Sequence, residues 1–337
     1  MKSLTKGKMW CYAVGQLGWS ILSGLIASWL VYFYQPNLEA LADGMIPLVP
    51  QGRIVLGVFT IIGVVTAIGR IFDAVTDPLV GSWSDKCKSK LGRRIPFMRF
   101  SAIPLGLVFL LVFCAPVQKI SALNSAWVLI TVLGYYFLIT CYCTPYTSLL
   151  AELPHNQDEK LKLSMSISLT FIVTCTGYTA PYIWKSLVAT GMELVPAMRI
   201  AFAILAVIAT VFMLVPAFGI NERDYCDAKP SELNMFSSLA KTFKNKNFRV
   251  FVYQDIIYFF GIAMFQTGLP FFVTTKTLLG LDVAWTTIMF GGLTFLSLCF
   301  YPFVTKMNAR FGKKKLLVAA FVGFFLTFTI TGLSGKI

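Results

Sequence analysis

The chain has 337 residues, of which 57% are hydrophobic and 13% charged, with a mean hydropathy of +0.73 and a formal net charge of +14. Soluble domains carry about a quarter charged residues, so this composition excludes an ordinary soluble domain and predicts an all-α, multi-pass transmembrane helix bundle. The excess of positive charge is no nucleic-acid signature, because it sits in short loops between apolar stretches.

Lys2, Lys6 and Lys8 lead into a first apolar stretch too long for a signal-peptide core and without an A-x-A site. Runs of about 20 apolar residues, the length that crosses a hydrocarbon core, fall at 10–34, 54–83, 95–117, 124–151, 163–189, 198–219, 248–275, 284–306 and 315–334. Twenty-two lysines and arginines lie at the amino end and after the even-numbered runs, whereas the opposite loops hold only Arg53, Lys119, Lys185, Arg199 and Lys276. The positive-inside rule then puts the amino terminus in the cytoplasm, with the protein in the cell (inner) membrane. Of the cysteines, Cys11, Cys114, Cys141, Cys143, Cys175 and Cys299 fall in apolar stretches and Cys87 and Cys226 in basic loops, and His155 is the lone histidine. They read as small hydrophobes and free thiols, and neither a metal site nor a cofactor is expected beyond a coupling ion.

The connection at 220–247 divides six runs from three. Within it, Leu233, Phe236, Ala240 and Phe243 recur at helical spacing beside Lys241, Lys244 and Lys246, the pattern of an amphipathic helix on the membrane surface. A repeat crosses this connection. "GSWSDKCKSKLGRRIPF" follows the second run and "PFVTKMNARFGKKKLLV" the eighth; aligning Gly92 with Gly312 sets Gly81 against Tyr301 and Asp85 against Thr305, at an offset of 220 residues. Parallel repeats of six spans characterise major-facilitator transporters. The expected organisation is a six-helix bundle at 1–219, a cytoplasmic linker at 220–247 and the first three helices of a second bundle at 248–337. About 9 of 12 helices are therefore present, and the chain reads as truncated.

The second run contains "GRIFDAVTDPLVGSWSD". Arg70, Asp73 and Asp77 stand at i, i+3 and i+7, on one helical face. Asp77 lies about 12 Å before Asp85 at 1.5 Å per residue, well inside the bilayer, where a lipid-facing charge costs at least about 2.5 kcal/mol. The acids must therefore face a cavity. Two carboxylates one turn apart are relieved by a bound cation or by a proton, with Arg70 as their charge partner, and Pro78 frees the carbonyl of Ala74. Asp85 with Arg93 and Arg94 fits a loop that pins one conformation and releases it in another; Asp255 is a second gate candidate, equally readable as a solvated helix end. In "CYCTPYTSLLAEL", Thr140, Thr144 and Thr147 beside Pro145 either line a cavity or bond back to their own helix.

"RIFDAVTDPLVGSWSDKCKSKLGRRIPF" together with "CTPYTSLLAELPHNQDEKLKLS" resembles the glycoside–pentoside–hexuronide:cation symporter family, melibiose-permease-like members of the major facilitator superfamily. In that family two helix-two aspartates bind Na+, Li+ or H+. An oxygen-bearing side chain just before the second aspartate and a helix-four threonine assist them. The resemblance implies a cation site of Asp73, Thr76, Asp77 and Thr140. Its sugar-carrying members place acids on helices one and four and an arginine on helix five. Here those regions read "GQLGWSILSG", Cys143 and "KLSMSIS", so the implied substrate wall is Gln16, Trp19, Ser20, Cys143, Thr147 and Met165. The resemblance thus implies cation-coupled symport of a small organic solute, sugar-like or amphipathic as in the related lysolipid symporters. Alternating access is the implied mechanism, in a lipid-embedded monomer that is not an enzyme and binds no nucleic acid. A membrane aspartyl protease would need its two acids on different helices. The rival is a non-transporting membrane protein or an inactive truncated relic of the family.

Overall fold

A computed structural model of the chain describes residues 4–42, 44–52, 59–156, 159–160, 162–164, 166–167, 170, 179–225, 243–275 and 279–333. Met165, Cys175, Cys226 and most of the expected surface helix of the linker lie outside these residues. The described architecture is helical: α1 (Lys6–Tyr34), α2 (Leu38–Ala42), α3 (Ile61–Lys86), α4 (Ile95–Phe113), α5 (Ala122–Glu152), α6 (Ala180–Ala189), α7 (Leu194–Gly219), α8 (Glu222–Tyr225), α9 (Lys246–Thr274), α10 (Trp285–Phe311) and α11 (Lys313–Leu333). Among the described residues, α1, α4, α5, α7 and α9 are long and apolar enough to cross a membrane. α3 has the length, at 26 residues, but carries Arg70, Asp73, Asp77, Asp85 and Lys86.

Local chemistry sets the boundaries. The second apolar run was expected to turn helical at 54, yet the helix starts at Ile61. There Thr60 Oγ1 accepts the Gly63 N–H at 3.0 Å, so a side chain satisfies one of the donors a helix start leaves open. α5 starts behind Ser121 in the same way, with Ser121 Oγ accepting from Leu123 N at 3.2 Å. α4 stops at Phe113 rather than at 117, since Cys114 takes φ −101° and ψ 71° and Pro116 follows. A proline disfavours the helical conformation in the residue before it. The two aligned glycines of the repeat, Gly92 and Gly312, both take left-handed φ, at 109° and 80°, where a side chain would be strained.

α7 packs against α1, α4 and α6, and α5 packs against α3 and α4. In lipid no hydrophobic force draws helices together, and small residues that let backbones approach take its place. A Cβ at Gly18 would stand 2.4 Å from Ala209 O and 2.6 Å from Met213 Cγ, and one at Gly15 2.5 Å from Pro216 Cγ. Tyr12 and Tyr146 stack at 4.3 Å and exchange hydrogen bonds, each hydroxyl donating to the other's carbonyl; Tyr142 Oη adds a bond to Met213 O at 2.8 Å. We expect Gly18→Val to force α1 off α7. Overpacking costs about 1–3 kcal/mol or more, so the monodisperse peak in detergent size-exclusion chromatography should be largely lost, whereas Gly24→Ala, with nothing within 4 Å of its Cβ, should keep it.

α9 joins the rest through α1. Thr267 Oγ1 donates to Ala27 O at 3.2 Å, Tyr32 and Phe271 lie 5.8 Å apart, and Asn37 Nδ2 donates to Thr274 Oγ1 at 2.9 Å. An ion pair between Lys185 and Asp282 lies at the same end. α9, α10 and α11 meet through aromatic rings, among them Phe265 with Phe290 and Phe328.

Candidate functional site

The acidic face of α3 turns onto α5. Gly69 permits this, since a Cβ there would meet the Tyr136 ring at 2.5 Å; with hydrogen in its place the ring lies against the α3 backbone. The close approach brings two pairs into register. Thr140 Oγ1 donates to Asp73 Oδ1 at 2.8 Å and Thr144 Oγ1 to Asp77 Oδ1 at 3.0 Å. Acids at i and i+4 on one helix thus meet hydroxyls at i and i+4 on its neighbour, as two rungs of a ladder. Each carboxylate keeps its second oxygen without a partner among the described residues.

The rungs border an open cavity of about 190 Å³. Trp19, Arg70, Asp73, Asp77, Thr140 and Cys143, all singled out from the sequence, line it. α1 adds Ser23 and Ile26, and α5 adds Tyr135, Tyr136 and Ile139. Other expected residues lie elsewhere. Gln16 and Ser20 are buried and satisfy each other, Gln16 Nε2 donating to Ser20 Oγ at 3.0 Å. Thr147 bonds back to Cys143 O at 2.9 Å, the usual fate of a membrane threonine. Thr76 is buried with its hydroxyl on Asp73 O at 3.1 Å, so it faces its own helix. Arg70 forms no ion pair with either acid; its guanidinium carbon sits 5.3 Å from the Tyr136 ring centroid. Thr144 is the site residue that spacing alone left undecided.

A second constellation occupies the basic end of the bundle. Arg94 pairs with Asp85 at 3.0 Å and with Glu152 at 2.6 Å, and Arg93 reaches both oxygens of Glu152 at 3.2 Å. Glu222 completes it: Oε2 accepts from the backbone N–H of Arg94 at 2.8 Å and of Ile95 at 3.3 Å, while Oε1 lies 3.9 Å from Arg93 Nε. An anion at a helix start meets unpaired N–H groups and the positive end of the dipole. Gly92 makes room for it, since a Cβ there would come within 2.3 Å of Glu222 Oε2. Neither Glu152 nor Glu222 was singled out from the sequence, though an acid amid basic loops, in "AELP" and "NERD", is the signal that marks them. Asp255, on α9, joins no ion pair among the described residues.

Apolar spanning helices packed through glycines, with carboxylates held between them, define a multi-pass integral membrane protein. Residues 11–334 match the family described as MFS/sugar transport protein, and the chain belongs to that family. It is 24% identical over 312 residues to the uncharacterized symporter YnaJ of Bacillus subtilis, covering 91% of this chain and 62% of that one. It is 30% identical over 189 residues to an uncharacterized symporter of Synechocystis, covering 54% of this chain and 30% of the relative. Over 98 residues it is 31% identical to the sodium-dependent lysophosphatidylcholine symporter 1 of Gallus gallus, covering 29% of this chain and 18% of that one. The chain thus spans less than two thirds of the length of each of these relatives.

Proposed function

We propose that the chain works as a secondary active transporter, a symporter that couples entry of Na+ or H+ to movement of a small organic solute. The observation that carries the reading is the double rung of Asp73–Thr140 and Asp77–Thr144 inside a spanning bundle. Hard carboxylate and hydroxyl oxygens suit a hard monovalent cation, and an uncompensated pair of acids in a membrane is costly without one. The symporter names of the relatives support the same reading.

In this reading the amino terminus and the Arg93–Arg94 cluster face the cytoplasm. The ion neutralises the carboxylates, the loaded site favours solute, and only the loaded or the empty carrier changes its opening. The bonds between α1 and α9 hold the far end shut, and the arginine cluster tightens the cytoplasmic end. The test is uptake into proteoliposomes carrying the full-length protein, driven by an imposed Na+ or H+ gradient with K+ as the control. Accumulation that collapses when the gradient is dissipated supports symport; accumulation indifferent to every gradient overturns it. Thr144→Val should weaken the response to the coupling ion about tenfold, the size of one hydrogen bond to a charged group, read as the cation concentration giving half-maximal uptake, and Thr144→Ser should restore it.

A further inference from the structure

Each threonine satisfies one oxygen of its acid and leaves the other free, and Arg70 belongs to neither rung. Among the described residues its guanidinium makes no ion pair and no hydrogen bond; it rests over the Tyr136 ring at 5.3 Å, a contact that holds the cation by its face and leaves its N–H donors unassigned. Trp19 lines the same wall, and its Nε1 is buried with no hydrogen-bond partner among the described residues. A buried donor left unmet carries a real desolvation cost.

Arg70 and Trp19 therefore offer donors, while the acceptors of the wall are the free oxygens of Asp73 and Asp77 and the hydroxyls of Ser23 and Thr140. The rest of it, Ile26, Ile139 and Cys143, adds no acid, amide or histidine. A polyhydroxylated solute needs acceptors and donors together, in bidentate pairs. An oxyanion needs donors alone, and a cation on Asp73 and Asp77 takes up the strongest acceptors of this wall.

We infer that Arg70 anchors the anionic oxygen of an amphipathic solute, a carboxylate or phosphate monoester on an apolar body. A volume of about 190 Å³ falls below the 300–1,000 Å³ of a pocket that encloses a whole drug-sized ligand. The cavity thus takes the charged end, and the body runs out along Trp19 and Tyr136. The order of binding rests on the cation reading. Two carboxylates and one guanidinium leave the empty site with net negative charge, which repels an anion until a cation has neutralised a carboxylate.

The experiment is titration calorimetry on the purified full-length protein in Na+ and in choline, with hexanoate, hexyl phosphate and hexyl β-glucoside as probes. In Na+ one of the anions should bind about tenfold tighter than the glucoside, the scale of one charge-assisted hydrogen bond, and the tighter anion identifies the headgroup. Arg70→Gln should remove that advantage, while Arg70→Lys should keep part of it. A glucoside that binds the wild-type protein as well as both anions overturns the inference without any variant, and so does Arg70→Gln with unaltered anion affinity. Anion binding that needs Arg70 but ignores Na+ keeps the anchor and removes the cation reading. Na+ binding with no preference among the probes does the reverse.

Discussion

Asp73→Asn should insert into the membrane normally and lose cation-stimulated uptake, and Asp77→Asn should behave alike. Each substitution keeps an oxygen and the hydrogen bond from Thr140 or Thr144, so the change is one of charge. A unit charge about 4 Å from a cation at an effective dielectric constant of 20 is worth about 4 kcal/mol, or roughly three decades in cation affinity. That exceeds any practicable rise in Na+ concentration, so uptake driven by the ion gradient should vanish. Surface expression serves as the control for insertion. Uptake that retains its full Na+ or H+ dependence in both variants would remove the two acids from the coupling site.

Glu152→Gln should be the most destabilising single change at the basic end. Arg93 and Arg94 share this acid, and both are nearly buried, with side chains 11% and 7% exposed. Removing the acid they share leaves Arg94 with Asp85 and Arg93 with the longer contact to Glu222, at a cost of about 3 kcal/mol, the lower end for a broken buried pair, which corresponds to a fall in Tm of roughly 6–12 °C for a chain of a few hundred residues. Asp85→Asn should cost much less. Its side chain is 36% exposed, and Arg94 retains Glu152. Glu222→Gln should fall between the two, since the amide oxygen still caps α4 while the long contact to Arg93 loses its charge. Thermal unfolding in detergent, followed by intrinsic fluorescence, checks the ranking. A larger loss for Asp85→Asn than for Glu152→Gln would show that Asp85, and not Glu152, holds the arginines.

Different physics made some features legible and hid others. The helices were readable because lipid demands long apolar runs, and the face shared by Arg70, Asp73 and Asp77 because helical spacing fixes it within one segment. What a residue meets on a second helix is set by packing. The assignment of Thr144 to Asp77 follows from the close approach at Gly69, and nothing local to "CTPYTS" states which face of α5 that approach selects. Gln16 and Ser20 were expected at the cavity from the family resemblance, which fixes a place along helix one and not a partner; a bond one turn apart lets them be buried instead. Glu152 and Glu222 lie 70 residues apart in sequence and meet only because α5 and α7 end on the same side of α4. The start of α3 was missed for a smaller reason: hydropathy reports where a chain is apolar, while a threonine hydroxyl decides where the backbone begins to coil.

The exchange of hydroxyls between Tyr12 and Tyr146 carries a mechanical meaning. Both bonds are buried in hydrocarbon, where no solvent can substitute for them, so α1 and α5 cannot slide past one another without stripping two polar groups bare. With Gly15 and Gly18 pressing α1 onto α7, these three helices move as one casting. Deformation is left to the seam with α9, where Asn37 and Thr274 stand just past one helix and at the last turn of the other. Water at the bilayer edge can take over that bond as it breaks, and that makes this end of the seam the place where the molecule can part and rejoin cheaply.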